Sequence, residues 1–269
     1  MTEGALETVL RRDRILVGAA LGGIAALAWG YVLWLARGMD MGGMNMAGFR
    51  MIPALHGIMA PANAPWTFAE FALVFAMWLV MMIGMMTPSA APMILLYAQV
   101  GRKTAPKDPP LAATGWFAGG YFLAWTGFSL AASVAQWTLQ RAALLDARMT
   151  SASGILGGIV LIAAAAYQWS PLKDICLVQC RTPLSFLMRH GGFRRSVSGA
   201  LLLGLRHGAY CVGCCWALMA LLFVGGVMNV LWIAVLASLV LLEKLSPFGR
   251  WIARAAGVVF LAEGAWLLV

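Results

Sequence analysis

Apolar runs recur along the whole chain, separated by polar, Gly/Pro-rich or basic stretches. They fall at roughly 15–36, 68–97, 112–139, 152–169, 197–223, 228–243 and 250–268, most of them near the length of about 20 residues that spans a bilayer as a helix. The expected fold is therefore all-α: a polytopic helical membrane protein of about seven transmembrane helices. The sixth run is short, and Gly225, Gly226 and Asn229 offer a tight turn before it. Six spans plus a re-entrant segment fit the same pattern. On this reading the chain divides into a cytoplasmic N-terminus (1–14), a first transmembrane helix (15–36), a Met-rich outer loop (37–67) and a helical membrane domain (68–269).

Composition agrees. The 269 residues are 62% hydrophobic and 11% charged, whereas about 25% of a soluble domain is charged. The formal charge of +9 would suit nucleic acid in a soluble protein, but in a membrane protein basic residues collect in cytoplasmic loops. With the N-terminus inside, 14 Lys and Arg lie in inner segments and four (Arg37, Arg50, Arg141 and Arg148) in outer ones, with Arg206 inside a span. The expected placement is a bacterial inner membrane, N-terminus cytoplasmic and C-terminus periplasmic, with the lipid bilayer as partner and no nucleic acid. The first run, Ile15 to Ala36, follows a basic start but is long for a signal sequence and lacks a small-x-small cleavage site. It reads as an uncleaved helix, with Gly18 and Gly22 as a close-packing motif.

HGAYCVGCCW, residues 207–216, carries the densest chemistry. At about 100° per residue, His207, Cys211, Cys214 and Cys215 share about a quarter of one helix face over about 12 Å of axis. Imidazole and thiolates on one side suit a soft or borderline metal ion, provided that facing helices contribute and that the stripe avoids lipid. Cysteine is also a common small buried filler, and Cys211-Val-Gly-Cys214 is a CxxC unit fit for dithiol redox chemistry. All three uses remain open on spacing alone.

Other soft donors recur. Met77, Met81 and Met85 run at i, i+4 and i+8, with Met82 and Met86 as a second row. Thioethers select Cu(I), although Met also fills cores. Pro88 and Pro92 in the same span predict a kink or opening near Thr87-Pro88-Ser89. The outer loop adds Met39, Met41, Met44 and Met46, with His56 and Met59 beyond. This Gly-rich cluster resembles the methionine motifs of periplasmic copper-handling proteins and copper importers. Cys176 and Cys180 stand one helical turn apart in the basic stretch 170–198, expected inside the cell, where Lys173 and Arg181 would favour thiolates. No Ser/His/Asp set, P-loop, GxGxxG, HExxH or paired carboxylates occur, which points away from hydrolysis and nucleotide chemistry and toward metal handling rather than catalysis.

Three motifs in order, WLVMMIGMMTPSAAPMILLYA (78–98), CLVQCRTP (176–183) and GLRHGAYCVGCCWALM (204–219), resemble a bacterial family of predicted metal-binding integral membrane proteins catalogued as a domain of unknown function. The resemblance covers most of residues 68–243 and implies a membrane protein whose Cys, His and Met residues bind metal.

Together these features predict a carrier of a soft transition metal, Cu(I) foremost, with zinc or another transition metal as the alternative. The role would be copper transport, or delivery to a periplasmic metal chaperone or membrane cuproprotein. His207, Cys211, Cys214 and Cys215 would form the principal site and Cys176 and Cys180 an inner exchange site. The rivals are a thiol-disulfide oxidoreductase using Cys211 and Cys214, and a non-metallic assembly scaffold.

Overall fold

The computed structural model describes residues 3–39, 48–54, 58–62, 64–104, 110–146 and 149–269. The Met41, Met44, Met46 and His56 expectations lie outside these residues. Four long helices come first or centrally: α1 (Glu3–Met39), α2 (Phe68–Thr104), α3 (Leu111–Arg141) and α7 (Val197–Ala220). Between α3 and α7 lie α4 (Gly154–Gln168), α5 (Pro171–Arg181) and α6 (Pro183–Arg189). The chain closes with α8 (Leu222–Gly225), α9 (Val230–Leu245) and α10 (Gly249–Leu268). The fold is all-α and polytopic, as expected.

The spans differ in detail. Five of the described helical segments are long and apolar enough to cross a membrane: Arg11–Met39, α2, α3, α7 continued through α8, and α10. The fourth expected span is short, because α4 has 15 residues and then meets α5 at a 63° bend. The bend is written at Ser170-Pro171: Ser170 Oγ accepts from the Lys173 amide, and Pro171 starts a new helix, where its missing N–H costs nothing. The sixth, α9, has 16 residues, about 24 Å at 1.5 Å per residue.

The stretch 170–198 is thus no simple inner loop. Most of it is α5 and α6, and α5 packs lengthwise on α7. The outer loop also holds more order than its composition predicts. β1 (Phe49–Ile52) and β2 (Ile58–Pro61) pair antiparallel. Strands of four residues are too short to show an alternation in sequence; their anchor is instead a long-range ion pair. Arg50 donates to both carboxylate oxygens of Glu70, 20 residues away at the start of α2, at 2.6 and 2.9 Å. Its remaining donors reach the carbonyls of Pro61, Ala62 and Ala64. At the other end of α2, Arg102 pairs with Asp13 of α1 at 2.6 Å.

Helix association in an apolar solvent rests on close packing rather than on the hydrophobic effect. The close approach is not at Gly18 and Gly22, where an added Cβ would meet nothing within 4 Å. It is between α3 and α7. A Cβ on Gly204 would lie 1.9 Å from the Phe117 carbonyl oxygen, and one on Gly120 would lie 2.0 Å from that of Leu201. Gly208, one turn on, faces Tyr121 and Ala124 in the same way. Gly158 and Gly264 seat α4 against α10 similarly. α2 stays helical through Pro88 and Pro92, so the expected opening near Thr87 is not found. The Thr87 hydroxyl donates to the Ile83 carbonyl and that of Ser89 to Met86, which supplies polar contacts around the position that lacks an N–H.

Gly204→Ala should force α3 and α7 apart at a cost of roughly 1–3 kcal/mol or more, lowering the melting temperature of the detergent-purified protein. Gly18→Ala should leave the melting temperature unchanged or slightly higher, since it meets no neighbour.

Candidate metal centre

α7 carries His207, Cys211, Cys214 and Cys215 on its buried side; each is at most 3% exposed. The stripe therefore faces the bundle, and Arg206 points away from it, exposed. The second helix that the stripe requires is α5. Cys180 Sγ lies 3.9 Å from Cys214 Sγ. Cys176 Sγ sits so close to α7 that a Cβ on Gly213 would come within 2.8 Å of it. Gly213 is the point where three helices meet, since its carbonyl also accepts from the Tyr167 hydroxyl of α4.

All five cysteines of the chain gather here as free thiols. The expected pair of separate sites, a principal one on α7 and an exchange site at Cys176 and Cys180, is one cluster. The 63° bend at Ser170-Pro171 lays α5 against α7, and this brings the two sets of thiols together.

The polar surroundings are specific. Cys211 Sγ receives a hydrogen bond from Lys244 Nζ at 2.8 Å and lies 3.0 Å from the Tyr121 hydroxyl. Lys244 Nζ also donates to Ser89 Oγ at 3.1 Å. The Tyr121 hydroxyl donates to the Met86 carbonyl at 3.4 Å, joining α2 to the cluster. Cys214 and Cys215 turn their thiols back on the Cys211 carbonyl, at 3.1 and 2.8 Å. Among the described residues, no three His, Cys, Asp or Glu side chains stand ready as a metal cage. With two of the thiols spent on a carbonyl, gathering them around an ion takes side-chain rotation.

His207 lies one turn before Cys211 in a box of aromatic rings. Its centroid is 5.1 Å from Phe186 of α6, 5.8 Å from Tyr121 and 6.1 Å from Phe117. Nδ1 is buried with no hydrogen-bond partner among the described residues, so it retains a free donor or acceptor. Met81, Met82, Met85 and Met86 are buried in the core, as is Met77. Along α2 they lie between Glu70 and Ser89, that is, between the hairpin and the level of the cluster. Met39 ends α1, half-buried against the core, and Met59 on β2 is exposed.

The cations expected near the thiols are engaged elsewhere. Lys173 pairs with Glu243 at 2.7 Å and with Gln168, which also bonds Glu243 at 2.9 Å. Arg181 donates to the carbonyls of Ser246 and Pro247. The cation at the cluster is Lys244, which sequence patterning assigns to an inner loop and the structure buries in the last turn of α9. Tyr121, Ser89 and Lys244 are the site residues that sequence reasoning misses. One signal was available: Glu243 and Lys244 are adjacent charges ending a span too short to cross alone.

Fold and site together define a polytopic helical membrane protein with a buried thiol cluster between two of its helices. Residues 75–267 match the family model PpoB2, described as copper chaperone. The chain belongs to that family, and its function is copper-related. The matched region contains all five cysteines, Tyr121 and Lys244, and begins after the hairpin. No curated protein and no solved structure matches the chain.

In a variant that keeps only Cys180 and Cys214, mild oxidation should join the two thiols. Alkylation mass spectrometry would then find both protected, and neither protected in the corresponding single-cysteine variants.

Proposed function

We propose that the protein is an inner-membrane chaperone for Cu(I), which holds the ion between α5 and α7 and hands it to a periplasmic or membrane cuproprotein. The observation that carries this reading is the meeting of Cys180 with Cys214, 3.9 Å apart on two different helices. Metal–thiolate bonds of about 2.3 Å can bridge two sulfurs up to about 4.6 Å apart, so an ion fits the pair without moving either backbone. The donor set is soft throughout, which suits Cu(I) better than a hard cation.

Cys211 and Cys215 would complete the sulfur set after rotating toward the ion, with Cys176 beside them at Gly213. His207, with its free Nδ1, is the nitrogen donor one turn away. The buried Met rows of α2 would carry the ion along the bundle from the hairpin end, where Met39 and the Met-rich loop would gather it. Residues 197 to 211 span about 21 Å of helix axis at 1.5 Å per residue. With the start of α7 at the cytoplasmic face, Cys211 then lies at the midpoint of the Val197–Gly225 span, deep in the bilayer. Exchange between thiols needs little charge movement, because the incoming sulfur replaces one of the same kind. Delivery would follow as a recipient's softer or more numerous donors take over the ion.

Anaerobically purified wild type should carry about one copper per chain by elemental analysis. The Cys180→Ser/Cys214→Ser variant should lose at least tenfold of it with its elution profile unchanged. Equal, near-zero copper and zinc in both proteins would show the reading to be wrong.

A further inference from the structure

We propose that Lys244 sets the charge selectivity of the thiol cluster, favouring a singly charged soft cation over a doubly charged one. The inference rests on the copper-site reading above and assigns a role to a residue outside the sulfur set.

Lys244 is buried, and its two hydrogen-bond contacts are Cys211 Sγ at 2.8 Å and Ser89 Oγ at 3.1 Å. Neither is a carboxylate. Its neighbour Glu243 faces another way, and its charge is matched by Lys173 at 2.7 Å, with Gln168 bonded to its second oxygen. Among the described residues, no carboxylate pairs with Lys244. A long ammonium side chain delivered into an apolar bundle with no acidic partner is an expensive arrangement. It becomes favourable when the site it touches carries negative charge.

Charge balance then distinguishes between ions. With two of the cluster's sulfurs bound as thiolates and the others kept as neutral thiols, a singly charged ion leaves a net charge of one negative unit, and the Lys244 ammonium brings the assembly to neutrality. The same two thiolates around a doubly charged ion are already neutral, and the ammonium leaves an uncompensated positive charge in low dielectric. Buried charge is tolerated only where it is paired, so a fixed cation at the cluster favours the first case. The arrangement holds the ammonium in place: Ser89 of α2 gives it a second acceptor, and Glu243, adjacent in sequence, is tied to α4 and α5. Selectivity therefore belongs to α9, which contributes no sulfur.

The test uses the full-length protein in detergent under anaerobic conditions, dialysed in the dark against equal Ag(I) and Zn(II). Bound metal is read by elemental analysis. Wild type should favour Ag(I). Lys244→Gln keeps a hydrogen-bond donor without the charge and should lower the bound Ag(I)/Zn(II) ratio at least tenfold, as should Lys244→Met. Lys244→Arg should restore the ratio. An unchanged ratio in Lys244→Gln, or an Arg variant behaving like Gln, would overturn the inference while leaving the copper site standing. Failure of wild type to bind either ion would overturn the copper-site reading itself, and this inference with it. Where Lys244→Met does not elute as a single species, Lys244→Gln decides.

Discussion

The ion pair between Lys173 and Glu243 is the interaction on which the site depends. It lies at the joint where α4 ends and α5 begins, with Gln168 bonded to both partners. Each of these groups would be costly alone in an apolar bundle, and breaking such a pair costs about 3–5 kcal/mol because it leaves a buried charge unmatched. Satisfied together, they lock the bend to α9. A bent span could otherwise slide or straighten. Locked, it fixes the register of α5 on α7, and that register sets Cys176 against Gly213 and Cys180 against Cys214.

The rest of the bundle supplies the second reference surface. Gly120, Gly204 and Gly208 bring the α3 and α7 backbones into contact, which holds Tyr121 at hydrogen-bond distance from Cys211. α7 is thus gripped on one side by α3 and on another by α5. α9 reaches both sides of the problem with two consecutive residues. Successive side chains on a helix diverge by about 100°, so Glu243 turns to the α4–α5 joint while Lys244 turns to Cys211 and Ser89. The helix that stabilises the bend is therefore the one that brings charge to the sulfurs.

This division of labour suits the proposed role of holding a soft ion and letting it go. Sulfur donors on two helices can approach or part by side-chain rotation, while the backbone that carries them stays pinned by glycine contacts and a closed ion pair. Aromatic rings surround His207, and its buried Nδ1 has no hydrogen-bond partner among the described residues, which leaves it available one turn from Cys211. The Arg50–Glu70 pair fixes the hairpin to the start of α2, so the exposed end of the Met-bearing helix is ordered as well.

Much of this was legible from sequence, and the boundary is physical. The apolar runs fix helices because a backbone in lipid must satisfy its own hydrogen bonds, and the spacing of His207, Cys211, Cys214 and Cys215 fixes their common face because helical periodicity is local. The sequence by itself therefore determined an all-α membrane fold and a one-sided thiol stripe that required a second helix. It could not say which helix. Whether α5 packs on α7 depends on Ser170-Pro171 together with Gln168, Lys173 and Glu243, groups up to 75 residues apart. Basic residues near a span end look alike in sequence whether they reach water or an internal partner, so Lys173 and Lys244 both read as charges of inner segments, Lys173 beside the thiols of Cys176 and Cys180. Only the tertiary structure decided that both are buried, and that the five cysteines, spread over two segments, meet in one place.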